Sequence, residues 1–324
     1  MKIFITLFIF CIVLFIYIHI QYHFKKSNDL EIYEVDQPSK VKLEEICDLR
    51  QPVIFDFPEI ENICKTINKN YITSSYYAFE IKLRNIKEEE KNDEIYIPFP
   101  LQKAIKLFQD DSSSSYFSEN NSDFLQETGV IKGMIYNDSF LRPYFVSNCN
   151  YDIMMGSNDT CTPLRYEINY RNYFLITEGS VKLKLIPPNS SKYLNTKYDY
   201  EIFEFSSPIN AWEPQTQYLA DFDKVKSLDI TLTRGQCIYI PAYWWYSFKL
   251  TSESCISCFR YRTYMNNLAI SPHVALYALQ IQNIKRDVVK KAKTNISSSD
   301  EKSGSLTDEK LVSLSEETKT QEKV

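Results

Sequence analysis

The run from Ile3 to Ile20 is apolar at every position except Thr6 and His19. As a helix its 18 residues extend about 27 Å, close to the thickness of a bilayer's hydrocarbon core. It ends in Gln21, Tyr22, His23, Phe24, Lys25 and Lys26, without the small residues of a signal-peptide exit. The pattern therefore predicts an uncleaved, single-pass membrane anchor over residues 3–22. Lys2 and the amino terminus on one side nearly balance Lys25 and Lys26 on the other, so the topology stays open.

From Val41 to Met265 the pattern changes to short apolar runs divided by polar clusters: Val53-Ile54-Phe55, Tyr173-Phe174-Leu175-Ile176 and Ile238-Tyr239-Ile240. Val181-Lys182-Leu183-Lys184-Leu185 alternates with period two, the mark of a strand with one wet face. Helical pieces are predicted at Glu59 to Asn68 and Leu101 to Gln109. A further helix, His273 to Ala292, carries a stripe of Val274, Leu276, Leu279, Ile281, Ile284 and Val288. The stripe would pack on the domain or form a homodimer. After Lys293 no aromatic residue remains, and Ser, Thr, Glu and Lys dominate, a composition that does not fold. The organisation predicted is an anchor (1–24), a linker (25–45), a mainly β domain (46–270), a C-terminal helix (271–292) and a disordered tail (293–324).

Composition narrows the function. Tyr (24) and Phe (20) are abundant while Gly is only 6, so neither a P-loop nor a G-x-G-x-x-G turn can be written. The net charge of -5 with interspersed signs leaves no cationic face for nucleic acid. Outside the first apolar run there are seven cysteines, an odd number that does not complete a disulfide framework. Cys255 and Cys258 form a C-x-x-C, but in a strand residues three apart face opposite ways, which favours core packing over chelation. Sequons at Asn120, Asn137, Asn158, Asn189 and Asn295 would be glycan sites only in a lumenal domain. The three histidines are His19 and His23 beside the membrane and His273 after the last strand, so a Ser-His-Asp or Cys-His arrangement is poorly supplied.

Two segments carry the chemistry. The first is Thr162-Pro163-Leu164-Arg165-Tyr166-Glu167, leading to Gly179 and Ile186-Pro187-Pro188; the second is Gly235-Gln236-Cys237-Ile238-Tyr239-Ile240-Pro241-Ala242-Tyr243-Trp244-Trp245-Tyr246. Their order and spacing resemble the JmjC or cupin-like hydroxylase family, especially the branch of the asparaginyl hydroxylase that modifies hypoxia-inducible factor. There the segments read T-P-x-H-x-D and G-D-x-(L/I)-(F/Y)-I-P-x-x-W-W-H. The resemblance spans about Cys47 to Met265, with Pro52-Val53-Ile54-Phe55 as opening strand. It implies a double-stranded β-helix, or jelly-roll, with flanking helices.

In that family two histidines and one carboxylate hold Fe(II), and 2-oxoglutarate fills open positions. Carried over residue by residue, the first histidine falls on Arg165, the carboxylate on Glu167 and the distal histidine on Tyr246. Arginine has no lone pair to give a metal. The resemblance also places Thr162 and Tyr116 at the 2-oxoglutarate contacts, and puts Val181 where the branch has a lysine. Lys182 is adjacent and would reach the pocket only after a one-residue shift. Trp244 belongs to an aromatic set read as core, with pocket lining as the rival. Two arrangements are expected for Arg165: pairing with Glu167 completed by the Tyr246 hydroxyl, or exposure at a degraded pocket mouth. The reading is a membrane-tethered domain without Fe(II) or 2-oxoglutarate that binds a peptide, a protein or a small anion. The alternative is a working 2-oxoglutarate hydroxylase whose metal is held by Glu167, Tyr246 and Cys161 or Asp159. A sugar-binding or sugar-modifying cupin is a third option, suggested by the sequons and the anchor.

Overall fold

Both faces of the strand Arg171–Glu178 are buried, which is why its centre, Tyr173 to Ile176, reads as an unbroken apolar run. Phe174 and Ile176 face one core, Tyr173 and Leu175 another. This strand, β8 in chain order, sits near the middle of a nine-stranded sheet. The computed structural model describes residues 2–58, 60–87, 95–251 and 253–282.

The large sheet begins with β1 (Tyr33–Val35), β2 (Val53–Asp56), β13 (Gln236–Tyr239) and β8, and continues through β15 (Cys255–Thr263) and β6 (Val146–Gly156). It ends with β5 (Tyr116–Ser118), β3 (Glu80–Asn85) and β4 (Ile97–Pro100). A second sheet runs β10 (Lys197–Asp199), β11 (Glu204–Ser206), β7 (Arg165–Tyr166), β14 (Trp245–Lys249), β9 (Ser180–Ile186) and β12 (Leu228–Thr233). Except for the parallel β1–β2 pair, the strands pair antiparallel.

Facing side chains from the two sheets make one core. Met154, Phe174, Ile238, Ile256 and Cys258 come from the large sheet, and Val181, Leu183, Leu185, Tyr246 and Phe248 from the small one. Alternation on β9 thus places Val181, Leu183 and Leu185 inward while Lys184 reaches Asp229 on the outer face at 2.8 Å. The turn between β8 and β9 needs Gly179 (φ 69°), because a Cβ there would lie 3.0 Å from the backbone of Glu253 and Ser254. Cys258 belongs to this core and Cys255 to the opposite one, as the C-x-x-C spacing in a strand requires, and both thiols are free.

The outer face of the large sheet is covered by helices α2 (Lys40–Cys47), α3 (Ile60–Cys64), α4 (Lys69–Ser75), α5 (Leu101–Asp110), α6 (Ser122–Glu127) and α7 (Val130–Asn137). Their buried residues, such as Leu43, Ile63, Ile72, Phe108, Phe124 and Met134, meet Tyr173, Leu175 and Phe259. Ser39 caps α2 by accepting from Lys42 N (3.3 Å), and Asn68 caps α4 by accepting from Tyr71 N (2.6 Å). The architecture is the two-sheet jelly-roll with flanking helices that the family resemblance implied.

Residues 25–45, expected as a linker, carry β1 and most of α2. Three-residue β1 is too short to show alternation, and its parallel pairing with β2 is a long-range contact that no local pattern reports. A short helix α8 (Leu219–Phe222) follows β11, and α9 (Tyr264–Ala269) follows β15. The first helix, α1 (Lys2–Phe24), is long and apolar enough to cross a membrane. Its last turns lie against α9, where Ile16, His19 and Ile20 are half-buried and His23 is buried. Residues 272–282 belong to a separate helical unit in which Val274, Leu276 and Leu279 are exposed. The rest of the predicted C-terminal helix and the tail lie outside the described residues.

Candidate functional site

Strand alternation fixes what each residue of the first motif can do. On β7 Arg165 points between the sheets, while Tyr166 turns outward to stack on Phe205 (5.3 Å) and meet Trp245 edge-on (4.8 Å). On β14, Trp245 likewise faces out, its Nε1 donating to Ser191 Oγ (2.8 Å), and Tyr246 faces in. Arg165 and Tyr246 are register partners across β7 and β14.

Arg165 is 5% exposed and is gripped by two carboxylates. Its Nη1 donates to Glu119 Oε1 at 2.8 Å and to Glu204 Oε2 at 3.2 Å, and its Nη2 pairs with Glu119 Oε2. Arg84 binds the same acids: Nη1 to Glu204 Oε2 at 2.8 Å and to Glu119 Oε1 at 3.1 Å, and Nη2 to Glu204 Oε1 at 3.1 Å. Tyr96 Oη joins these four side chains by donating to Glu119 Oε1 (2.8 Å). Two buried arginines and two buried glutamates thus neutralise one another across β3, the end of β5, β7 and β11.

Neither arrangement expected for Arg165 is the one found. Its partner is not Glu167, and it is not exposed. Glu167 accepts from Arg260 Nε (3.1 Å), Tyr246 Oη (3.1 Å) and Asn169 Nδ2 (3.1 Å). The hydroxyl contact of Tyr246 is therefore as expected, with a different arginine opposite it. Arg260 also lies 3.7 Å from Asp152, whose carboxylate accepts from the backbone N–H groups of Asn120 and Asn121.

Charge in this cluster follows from burial and pairing. Burial alone would raise the Glu119 pKa, but Arg165 and Arg84 outweigh it and hold the carboxyl down to about 2. Burial would likewise lower Arg165, and Glu119, Tyr246 and Glu204 push it well above its ordinary value. Burial and then Glu167 raise the Tyr246 phenol, so it stays a neutral donor. Burial also raises the pKa of Asp152, against the pull of Arg260.

The residues present do not fit an Fe(II) site. A fixed cation, a carboxylate already taken by Arg260, and a protonated phenol stand at the three ligand positions, and the cation would repel the ion. Among the described residues no three His, Cys, Asp or Glu side chains gather where they could hold a metal. Asp159 instead pairs with Lys249 at 3.2 Å, and Cys161 Sγ contacts the Asp159 carbonyl at 3.5 Å.

The candidate pocket residues do not come together as one cavity lining. Thr162 is tied to β14, its Oγ1 accepting from Phe248 N (2.9 Å) and its carbonyl from Ser247 Oγ (2.6 Å). Trp244 lies fully buried in the inter-sheet core. Tyr116 begins β5 and packs, half-buried, against the helix-covered core. Lys182 is exposed on the outer face of β9, because the strand keeps its alternation and no one-residue shift occurs. A cleft of about 360 Å³ exists elsewhere, walled by Glu61, Cys64, Asn70, Glu178 and Arg234, and shares no residue with the arginine cluster.

The residues that complete the cluster, Arg84, Glu119, Glu204 and Arg260, lie outside both motifs. One had a signal: if Cys258 on β15 faces the core, Arg260 two positions later must face it too, and a charged residue there demands a partner. Glu119 and Glu204 are brought in by long-range pairing alone.

Fold and site define a double-stranded β-helix protein with a buried network of ion pairs between its two sheets. Within that class the chain belongs to the cupin-like domain family, whose sequence model matches residues 32–263. HSPB1-associated protein 1 of Rattus norvegicus is 27% identical over 95 residues, 29% of this chain and 20% of the relative, and the Homo sapiens protein gives the same values. JmjC domain-containing protein D of Dictyostelium discoideum is 25% identical over 107 residues, 33% of this chain and 24% of the relative. The matched stretch thus spans about a fifth to a quarter of these relatives' length.

Proposed function

We propose that this protein is a membrane-anchored cupin-like module that works by binding rather than by Fe(II)- and 2-oxoglutarate-dependent hydroxylation. The observation that carries the reading is Arg165, which stands at the first ligand position and is locked there by Glu119 and Glu204. A metal ion would have to displace a guanidinium from two carboxylates in a site that excludes water. The anchor is α1, and its docked last turns hold the domain close to the bilayer surface. The name of one relative records association with another protein, which agrees with a binding role.

The test is elemental analysis of the full chain purified from membranes in detergent, together with succinate release from 2-oxoglutarate after addition of Fe(II). We expect neither stoichiometric iron nor turnover above a heat-denatured sample. Iron bound one to one, with 2-oxoglutarate consumed, would replace this reading with that of a hydroxylase with an atypical site. Retention of the full chain in membranes after an alkaline carbonate wash tests the anchor separately.

A further inference from the structure

Arg50 is a buried cation that makes no ion pair among the described residues. It is 2% exposed, yet its Nε and Nη2 have no hydrogen-bond partner, and among the described residues no carboxylate stands at ion-pair distance from it. The nearby acids are committed: Asp48 and Glu44 both pair with the buried Arg171. Around the Arg50 guanidinium stand the Tyr22 ring at 5.0 Å and the Tyr170 ring at 5.1 Å, and the one acid its charge reaches among the described residues, Asp48, is held by Arg171. Buried charges are ordinarily paired, and ring faces alone do not replace a counter-ion.

The place of this cation in the fold says what the missing charge is. Tyr22 lies in the last turn of α1, and His23 beside it packs edge-on against Tyr170 at 5.3 Å. Lys26, just beyond the helix, sits with its Nζ 4.0 Å from the ring centre of Tyr243. Arg50 (φ 61°) and Tyr243 (φ 69°) both adopt the left-handed conformation that side chains ordinarily avoid, and the charge of Arg50 reaches Tyr243. If Ile3 to Ile20 fill the hydrocarbon core, Tyr22 to Lys26 lie at the depth of the lipid phosphates. The negative end of the α1 dipole supplies only about half a charge there, too little for Lys25, Lys26 and Arg50 together.

We infer that Arg50 and Lys26, walled by Tyr22, Tyr170 and Tyr243, form a site for the phosphate of an anionic phospholipid where α1 leaves the membrane. The inference rests on reading α1 as a membrane anchor. A headgroup phosphate would give the guanidinium the counter-ion it lacks, in the bidentate form that arginine favours, with Lys26 as the second charge.

Full-length protein in detergent micelles is titrated with dioleoyl phosphatidate and, separately, with dioleoyl phosphatidylcholine, and bound lipid is counted by native mass spectrometry. Phosphatidate should bind preferentially, and Arg50→Met should weaken it by about tenfold or more, the loss of a charge-assisted contact. Lys26→Gln, which changes an exposed side chain, should weaken it several-fold with no change in the thermal unfolding curve. Binding of phosphatidate undiminished in both variants, or equal binding of the two lipids by the natural chain, overturns the site. Competition by glycerol 3-phosphate at the same concentration would make a soluble phosphate the occupant and overturn the lipid assignment. Since binding is read in detergent, its failure is distinct from failure of the anchor, which the carbonate wash reports.

Discussion

Glu119 and Arg165 are 46 residues apart in the chain and meet inside the jelly-roll, Nη1 to Oε1 at 2.8 Å, with a second contact through Nη2. Both side chains are almost wholly buried, so each is the condition for the other's charge. Arg165 occupies the position that the family resemblance assigns to a histidine.

Removing one partner of this pair should be expensive. Glu119→Ala leaves Arg165 with Glu204 alone and is expected to destabilise the protein by about 3 to 5 kcal/mol. Glu167→Ala should cost less, about 1 to 2 kcal/mol, because Glu167 is partly exposed and Arg260 keeps Asp152. Denaturant unfolding of the full chain in detergent, followed by tryptophan fluorescence, measures both. An equal cost for the two would contradict the assigned partners.

Acid should act through the same carboxylate. The folded-state pKa of Glu119, about 2, is below its ordinary value of 4.5, so its stabilisation is present above pH 4.5 and is lost as pH falls toward 2. The loss over that window is about 3 kcal/mol. Asp152, raised by burial, contributes in the opposite direction and softens the fall. Unfolding free energy measured from pH 6 downward should decline for the natural chain, and the decline should be much shallower in Glu119→Gln.

Restoring the imidazoles tests whether the backbone still has the family's geometry. Because positions 165 and 246 are register partners and Tyr246 Oη already touches Glu167, Arg165→His with Tyr246→His should bring two imidazoles and one carboxylate together. The double variant should bind Co(II), visible in its absorption spectrum, and be less stable than the natural chain. No spectral change in a folded double variant would mean that the strands have moved out of ligand geometry.

At the β8–β9 turn, Gly179→Ala puts a Cβ 3.0 Å from the facing backbone at a positive φ. A loss of about 2 to 3 kcal/mol is expected, against about 1 kcal/mol for Gly129→Ala, whose φ is also positive, so that the strain remains, but whose Cβ meets nothing within 4 Å. The comparison, read from thermal or denaturant unfolding, separates backbone strain from collision.

What the chain's pattern makes legible is the part governed by local periodicity. Alternation on β9 and the double-faced burial of β8 are written in their residues, as are α5 and the long apolar α1. The motif around Arg165 and Tyr246 marks the site, but not the acids that fill it. Glu119 follows β5 and Glu204 opens β11, and neither has a local signature, because their pairing depends on which strands become neighbours. The same holds for β1, a three-residue edge strand whose partner lies across α2. Lys182 shows the converse: strict alternation correctly denies it a place inside.

The quartet of Arg84, Arg165, Glu119 and Glu204 also sets the direction of change open to this fold. A histidine introduced at position 165 alone would leave two glutamates sharing Arg84, and a glutamate removed alone would orphan an arginine. Every single step toward a metal centre here therefore gives a less stable molecule before any ion can compensate.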